Sequence, residues 1–289
     1  MSGVKRTALI FGASGFTGRH LVKRVDDDAN WTAVDARTLG AELRNPASLS
    51  AALEAALPDA VINLAALSSV TEGDIADLYA VNSFGWLNLL EALKARAFAG
   101  RVIFASSANI YGNKTDGPIT EDRPPDPANH YALSKLMAER FCVLGFEDLD
   151  IVITRPFNCI GVGQKAHFLV PKLVAHFRER RPAIELGNLD VQRDFIDVRD
   201  VADVYALLLD TPTPPPVLHI STGRVHSLRD IIAILETLSG HKIEVIVNPN
   251  FIRPNDLRHQ QGDTTRLRAL AFESRYSIAD TLSWMLAQS

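Results

Sequence analysis

Tyr131 and Lys135 stand four residues apart in "YALSK", the spacing that puts two side chains on one face of a helix. A free phenol titrates near ~10, too high for proton transfer at neutral pH. A neighbouring ammonium favours the phenolate and lowers that value, so the spacing predicts a tyrosine tuned by its lysine. Two more hydroxyls, Ser106 and Ser107 of "SSANIYG", follow the apolar run Arg101–Ala105. Polar side chains at the carboxyl end of a strand are where an open α/β sheet places its chemistry. No acid follows them: the next two residues are Ala108 and Asn109, and neither exchanges a proton at neutral pH.

These groups need a scaffold, and the hydropathy pattern supplies one. Apolar runs with strand character at Thr7–Gly12, 31–36, 59–67, 101–107 and 150–156 alternate with helical spacing at 16–25, 46–57, Ile75–Ala97 and Asn129–Gly145. A further short strand is expected at 39–44. Such alternation predicts a parallel sheet covered by helices. After Pro156 the pattern loosens into helices at 168–182 and 227–240 and strands at 217–222 and 242–247, with "TPTPPP" (211–216) as a stiff connector. The fold class expected is α/β: a Rossmann-type, doubly wound parallel sheet with a smaller C-terminal α/β substrate lobe. The boundaries expected are 1–158 for the nucleotide lobe, with 195–220 returning to it, and 159–194 with 221–289 for the other.

The first strand runs into "GASGFTG", with Gly12, Gly15 and Gly18 between strand and helix. A glycine at each position allows the tight turn, the approach of backbone to a pyrophosphate, and close helix–strand packing. The helix N-terminus then offers free N–H groups and a positive dipole end to the anion. In that context the triplet predicts NAD(P)H. Asp35 closes the second strand and could accept the ribose hydroxyls of NAD(H), whereas Arg19 and Arg37 could pair with a 2′-phosphate and favour NADP(H). An exposed, solvated arginine is the plainer reading of each.

Glycine loop, strand-end serines and Tyr-x-x-x-Lys helix, in this order, resemble the extended short-chain dehydrogenase/reductase family of nucleotide-sugar epimerases, dehydratases and reductases. The resemblance spans nearly the whole chain, through "NLAA" (Asn63–Ala66), "VNSFGWLNLLEA", "RPFNCIGVGQ" (Arg155–Gln164) and "RDFIDVRDVA" (Arg193–Ala202). It implies that Ser107, Tyr131 and Lys135 are catalytic and that Lys135 also holds the nicotinamide ribose. It implies a cofactor site of Gly12, Gly15, Phe16, Thr17, Gly18, Asp35, Arg37, Leu43, Leu64, Ala65, Ala66, Asn82, Tyr131, Lys135 and Pro156. It implies substrate contacts from Ser107, Asn109, Asn158, Lys172, Leu186, Arg193 and Arg258, with Arg193 on the sugar-nucleotide diphosphate and Arg253 or Arg258 as a second contact there. The family's 4,6-dehydratases carry an acid after the catalytic hydroxyl; Ala108 and Asn109 stand there here. That disfavours dehydration and leaves hydride transfer at C4. "GNLD" (187–190) resembles the GDP-mannose branch, closest to the GDP-4-keto-6-deoxy-D-mannose reductases.

The expectation is therefore reduction of a nucleotide-linked 4-keto-6-deoxyhexose, with a UDP-hexose 4-epimerase, a dTDP-4-keto-6-deoxyhexose reductase and, more remotely, a non-catalytic NAD(P) sensor as the competing readings. The sensor is disfavoured because such proteins usually lose the tyrosine or the lysine. With 289 residues, 47% hydrophobic and a net charge of -4, the chain is long enough for a full core and has no basic footprint for nucleic acid. No apolar run reaches the ~18 residues of a membrane span, and no signal-peptide layout opens the chain, so a cytoplasmic enzyme is expected. Cys142 and Cys159 have neither disulfide-framework nor metal-ligand spacing. The family also implies a homodimer through a four-helix bundle of Ile75–Ala97 and Asn129–Gly145, with Leu78, Phe141 and Leu144 outward.

Overall fold

The computed structural model describes residues 4–68, 75–113, 117–251 and 258–288. In chain order it contains β1 (Arg6–Phe11), α1 (Phe16–Asp26), β2 (Trp31–Asp35), α2 (Pro46–Ala56), β3 (Ala60–Asn63), α3 (Ile75–Tyr79), α4 (Gly85–Ala95) and β4 (Arg101–Ala105). Then come β5 (Pro118–Ile119), α5 (His130–Cys142), β6 (Asp150–Pro156), β7 (Asn158–Ile160), α6 (Leu169–Arg178), β8 (Ala183–Leu186), β9 (Gln192–Asp197) and α7 (Val198–Asp210). The chain closes with β10 (Val217–Ile220), β11 (Val225–Ser227), α8 (Leu228–Ser239), β12 (Glu244–Val247), β13 (His259–Gly262), α9 (Thr265–Ala269) and α10 (Ile278–Ala287). No helix of the described residues is long and apolar enough to cross a membrane.

Two compact units share this chain: 1–112, 124–156 and 202–218 make one, and 113–123, 157–201 and 219–289 the other. In the first unit the six-stranded sheet runs β10-β6-β4-β3-β1-β2. The strands from β2 to β6 pair in parallel. From β1 the chain moves outward one way to β2 and the other way to β3, β4 and β6, which is double winding with its reversal between β1 and β3. The central strands are near-continuous apolar runs because both faces are covered: Ala8, Leu9, Ile10, Val61, Ile62, Val102 and Ile103 are fully buried. Trp86 stacks on Phe104 at 4.6 Å between ring centroids. Asn45 caps α2 and Pro46 opens it, where proline's fixed φ and missing N–H do no harm.

No strand forms at 39–44. Residues 36–39 make a 3-10 turn capped by the Asp35 side chain, and Gly40 ends it at φ 72°. Nor does the first unit resume at 195. Phe195–Asp197 belong to β9, which pairs with β7, β11 and β13 in the second unit, and the first unit resumes at Ala202. The second unit has its own core, including Leu173, Phe177, Ile184, Leu186, Ile231, Leu235 and Leu282. Its helices α8 and α10 each start with a capping box, Ser227 with Asp230 and Ser277 with Asp280, so hydroxyl and carboxylate satisfy first-turn N–H groups reciprocally.

Candidate active site

The β1–α1 turn meets the demands of a dinucleotide loop. Gly12 adopts φ 81°, and a Cβ there would lie 2.7 Å from the Ala65 nitrogen and 2.9 Å from the Leu64 carbon. The turn is thus pressed against the backbone after β3, at the sheet's reversal point, where such folds bind ligands. A Cβ on Gly18 would sit 2.1 Å from the Gly12 oxygen. Gly15 is the N-cap of α1 and no side chain caps that terminus. The first N–H groups of α1 are therefore available to an anion. Phe16 and Thr17, half-buried, form the first turn. A dinucleotide phosphate fits this cradle.

Of the other residues expected at the cofactor, Asp35, Leu64, Ala65, Ala66 and Pro156 fall at strand ends of the same unit, and Arg37, Leu43 and Asn82 in turns. Asp35 ends β2, but its Oδ1 accepts from Arg37 N at 3.0 Å and so caps the following turn. Arg37 is exposed, and Arg19 is exposed with Nη1 donating to the Ser14 carbonyl. Leu43 is buried, its carbonyl accepting from Asn88 Nδ2 at 2.9 Å. Leu64, Ala65 and Ala66 are half-buried after β3, and Pro156 ends β6. Asn82 serves the loop rather than presenting a free amide: Oδ1 accepts from Leu67 N, and Nδ2 donates to Leu67 O and Ser134 Oγ. It sits in a π-turn over 80–84, a local widening common at functional sites.

The hydroxyl pair comes together as the spacing requires. Ser107 caps a 3-10 turn over 108–111 and accepts from Asn109 N at 3.2 Å. Its hydroxyl also hydrogen-bonds the Tyr131 phenol, which this lowers; burial, the larger effect, raises the phenol above its ordinary value. The lysine of the Tyr-x-x-x-Lys pair is anchored to the end of β4. Lys135 Nζ, 2% exposed, donates to the Ala105 carbonyl at 2.7 Å and lies 5.0 Å from the Phe104 ring. Desolvation pulls its own value down to about 7 against the charge of Glu139. Glu139 is held by Arg155, which also reaches Tyr111. This buried group lies outside the residues singled out from the sequence, although Glu139 falls on the Tyr131–Lys135 stripe one turn later. Ser106 Oγ is buried without a hydrogen-bond partner among the described residues. A stranded hydroxyl is costly until a partner arrives, which fits a site made for a bound molecule. The Asn109 residue is exposed.

In the second unit β7 and β9 pair, which puts Asn158 and Arg193 on neighbouring strands. Asn158 Nδ2 donates to the Asp194 carbonyl at 2.9 Å and to Gln260 Oε1 at 3.1 Å. Arg193 is half-buried, with Nη1 on the Gln192 carbonyl. Asp194 staples this strand in place: it accepts from Thr222 N and Oγ1, Gly223 N and Gly262 N, and burial pushes it up to about 6 against those bonds. Lys172 donates to the Glu185 carbonyl at 3.4 Å. Leu186 is 2% exposed and packs into the core with Ile184, both turned inward by the alternation of β8. Asp190 of the "GNLD" turn pairs with Arg229 at 2.6 Å, and Asn188 accepts from Asp190 N. Arg258 is exposed, and Arg253 lies outside the described residues.

Comparison with known proteins matches this arrangement. Residues 8–220 fit the model of the NAD dependent epimerase/dehydratase family. The chain is 35% identical over 266 residues to a GDP-6-deoxy-D-talose 4-dehydrogenase from Aggregatibacter actinomycetemcomitans, covering 90% of this chain and 89% of that one. It is 35% identical over 269 residues to a GDP-6-deoxy-D-mannose reductase from Pseudomonas aeruginosa, covering 89% and 88%. The solved structure of RMD from Pseudomonas aeruginosa complexed with NADPH superposes with a TM-score of 0.88 at 32% identity, over 98% of both chains. With its glycine cradle, strand-end serine and Tyr-x-x-x-Lys helix, the chain belongs to the NAD dependent epimerase/dehydratase family.

Proposed function

We propose that this protein reduces the C4 ketone of a nucleotide-linked 4-keto-6-deoxyhexose, GDP-linked, with NAD(P)H. The observation that carries the reading is the Ser107–Tyr131 hydroxyl pair at the end of β4 with Ala108 and Asn109 beside it. Such a site can hold a carbonyl oxygen and give it a proton, yet it has no acid for eliminating water. Two relatives support C4 as the reacting carbon: their names specify a 6-deoxytalose and a 6-deoxymannose, sugars that differ in configuration at C4.

The bound nicotinamide would supply the hydride. Everything else falls to the chain. Gly12, Gly15, Gly18 and the N-terminus of α1 hold the pyrophosphate. Tyr131 gives its proton to the oxygen at C4, and burial keeps that phenol protonated, the form a donor needs. Ser107 shares the same oxygen by hydrogen bond. Arg193 takes the diphosphate, for which a guanidinium fork is suited, and Asn158 takes the sugar.

Two measurements test the reading. Purified protein should consume NAD(P)H stoichiometrically with GDP-4-keto-6-deoxymannose. A 4-epimerase would recycle its cofactor, and a sensor would leave it untouched. GDP should also raise the melting temperature well above UDP or dTDP at equal concentration, since a ligand stabilises in proportion to its occupancy of the folded state. A guanine pocket strands polar groups around a pyrimidine at about 1–3 kcal/mol each. Equal stabilisation by dTDP would remove the guanine assignment and leave a dTDP-sugar reductase.

The same reading includes a homodimer through the helices of the first unit. Leu78 takes no part, being 1% exposed. Ile75, Phe84, Leu133, Val143 and Leu144 are the exposed apolar side chains on or beside α3, α4 and α5, at 43 to 67%. Exposed apolar clusters mark association surfaces. Light scattering at micromolar concentration should give twice the 31.7 kDa chain mass; a monomer defeats this part.

A further inference from the structure

Behind Lys135 lies a buried run of charge to which the reductase reading gives no task. The face of α5 that carries Tyr131 and Lys135 continues one turn to Glu139. Glu139 Oε1 and Oε2 accept from Arg155 Nε and Nη2 at 3.0 and 2.7 Å, and Arg155 Nη1 donates to the Tyr111 phenol oxygen at 2.6 Å. The two charged side chains are 8% and 6% exposed and Tyr111 is 1% exposed. Tyr111 ends the turn that Ser107 caps, and Arg155 is the penultimate residue of β6. One network thus fastens the segments bearing Ser107, Tyr131 and Lys135. A buried ion pair is a weak source of stability once its desolvation is counted, so stability does not account for it.

We propose that Glu139 is a positioning residue for Lys135: its carboxylate, held by an Arg155 fork that the Tyr111 hydroxyl anchors in turn, keeps the buried lysine nearer its charged form than burial alone would leave it. The lysine's catalytic task rests on the reductase reading; its charge state does not. Burial drives an amine toward neutrality, and Glu139 is the charge that opposes this at Lys135. Among the described residues, the groups placed beside Lys135 come from α5 and β4. On α5 they are Tyr131 and Glu139. From β4 come the Ala105 carbonyl and the Phe104 ring; Arg155 of β6 bonds Glu139, and Tyr111 of the turn after Ser107 bonds Arg155 in turn. The π-turn contributes neutral groups, the Asn82 amide on Ser134 Oγ and the Ser83 hydroxyl on the Ser134 carbonyl. Cys142, a turn beyond Glu139, is pushed up to about 12 by burial and stays a thiol.

Opposite signs make this testable. Glu139→Gln deletes the anion and leaves the Arg155 cation, and both effects push Lys135 toward its neutral form. Arg155→Gln deletes the competing cation and favours the charged form. A network that only held the fold would admit water when broken, and both substitutions would then move Lys135 up toward the ordinary ~10.4. The measurement is a 13C NMR titration of Lys135 Cε in lysine-labelled full-length protein without ligands, the resonance assigned by its loss in Lys135→Arg. We expect the midpoint to fall by about 1 pH unit or more in Glu139→Gln and to rise in Arg155→Gln. An unmoved or raised midpoint in Glu139→Gln overturns the proposal. If that variant does not fold, Glu139→Leu with Arg155→Met exchanges the pair for apolar volume, a replacement proteins often tolerate. Its midpoint should fall below that of Arg155→Met alone, a comparison that isolates the Glu139 charge with the cation gone, and an equal midpoint overturns the proposal equally. The titration needs neither substrate nor cofactor, so its failure is distinct from failure of the reductase reading, which NAD(P)H consumption decides.

Discussion

Tyr131→Phe should lower kcat by at least ~100-fold, the range of a positioned acid–base group, which corresponds to about 2.7 kcal/mol of transition-state stabilisation. The substitution keeps the ring and removes only the proton-bearing oxygen. Because burial holds that phenol above its ordinary value, it is neutral at pH 7 and the exchange alters no charge. Affinity for NAD(P)H should therefore change little, and the loss should appear in kcat rather than in binding. The pH profile sharpens the point. A donor must be protonated, and a raised phenol stays protonated throughout the neutral range. Lys135, lowered to about 7, is the group that loses its proton there. The alkaline limb of kcat/KM for the free enzyme should report the lysine, not the tyrosine. Near-normal turnover in Tyr131→Phe would remove the phenol from the mechanism.

The first unit was largely legible because a parallel sheet buried on both faces writes itself as apolar runs separated by glycines and helical periods. Thr7–Gly12 and 150–156 are of this kind. The segment 39–44 misled because a short apolar stretch carries no period, while Asp35, singled out as a ribose ligand, was free to cap a turn there. The second unit was harder. β9 reads "QRDFID" and β13 reads "HQQG"; neither has strand composition, and both are strands because of what they pair with. Asp194 is buried in β9, where four donors from the 222–223 loop and the end of β13 converge on it. The amphipathic α7 was hidden inside a motif quoted for its chemistry. In the site, the four-residue spacing of Tyr131 and Lys135 was visible at once. The pairing of Glu139 with Arg155 was not, since only the placement of β6 beside β4 brings them together.

Gly18→Ala should abolish tight NAD(P)H binding, and it tests the cradle without touching a catalytic group. The added Cβ would stand 2.1 Å from the Gly12 oxygen and 2.6 Å from the Ala13 oxygen. Both are backbone atoms, and no rotamer change can withdraw them. The loop has little freedom to yield, since Gly12 already adopts φ 81° and lies against the backbone of Leu64 and Ala65. Relief must come from moving α1, whose N-terminal N–H groups are the anion site. Overpacking of this kind costs about 1–3 kcal/mol, or roughly 2–4 °C of melting temperature per kcal/mol in a domain of this size. The loss of cofactor affinity should be larger, at least ~100-fold, because the same displacement withdraws several donors from the pyrophosphate at once, at about 1.5–3 kcal/mol for each bond to a charged group. A control separates instability from loss of the site. Gly240 ends α8 in the second unit at φ 61° with nothing within 4 Å of its missing Cβ. Gly240→Ala therefore strains only the backbone, at about 1 kcal/mol, and should bind cofactor as the unaltered protein does. Fluorescence titration with NADPH, alongside thermal melts of both variants, reads the difference. If Gly18→Ala binds NADPH like Gly240→Ala, the glycine turn is not the phosphate site and the cofactor must be held elsewhere.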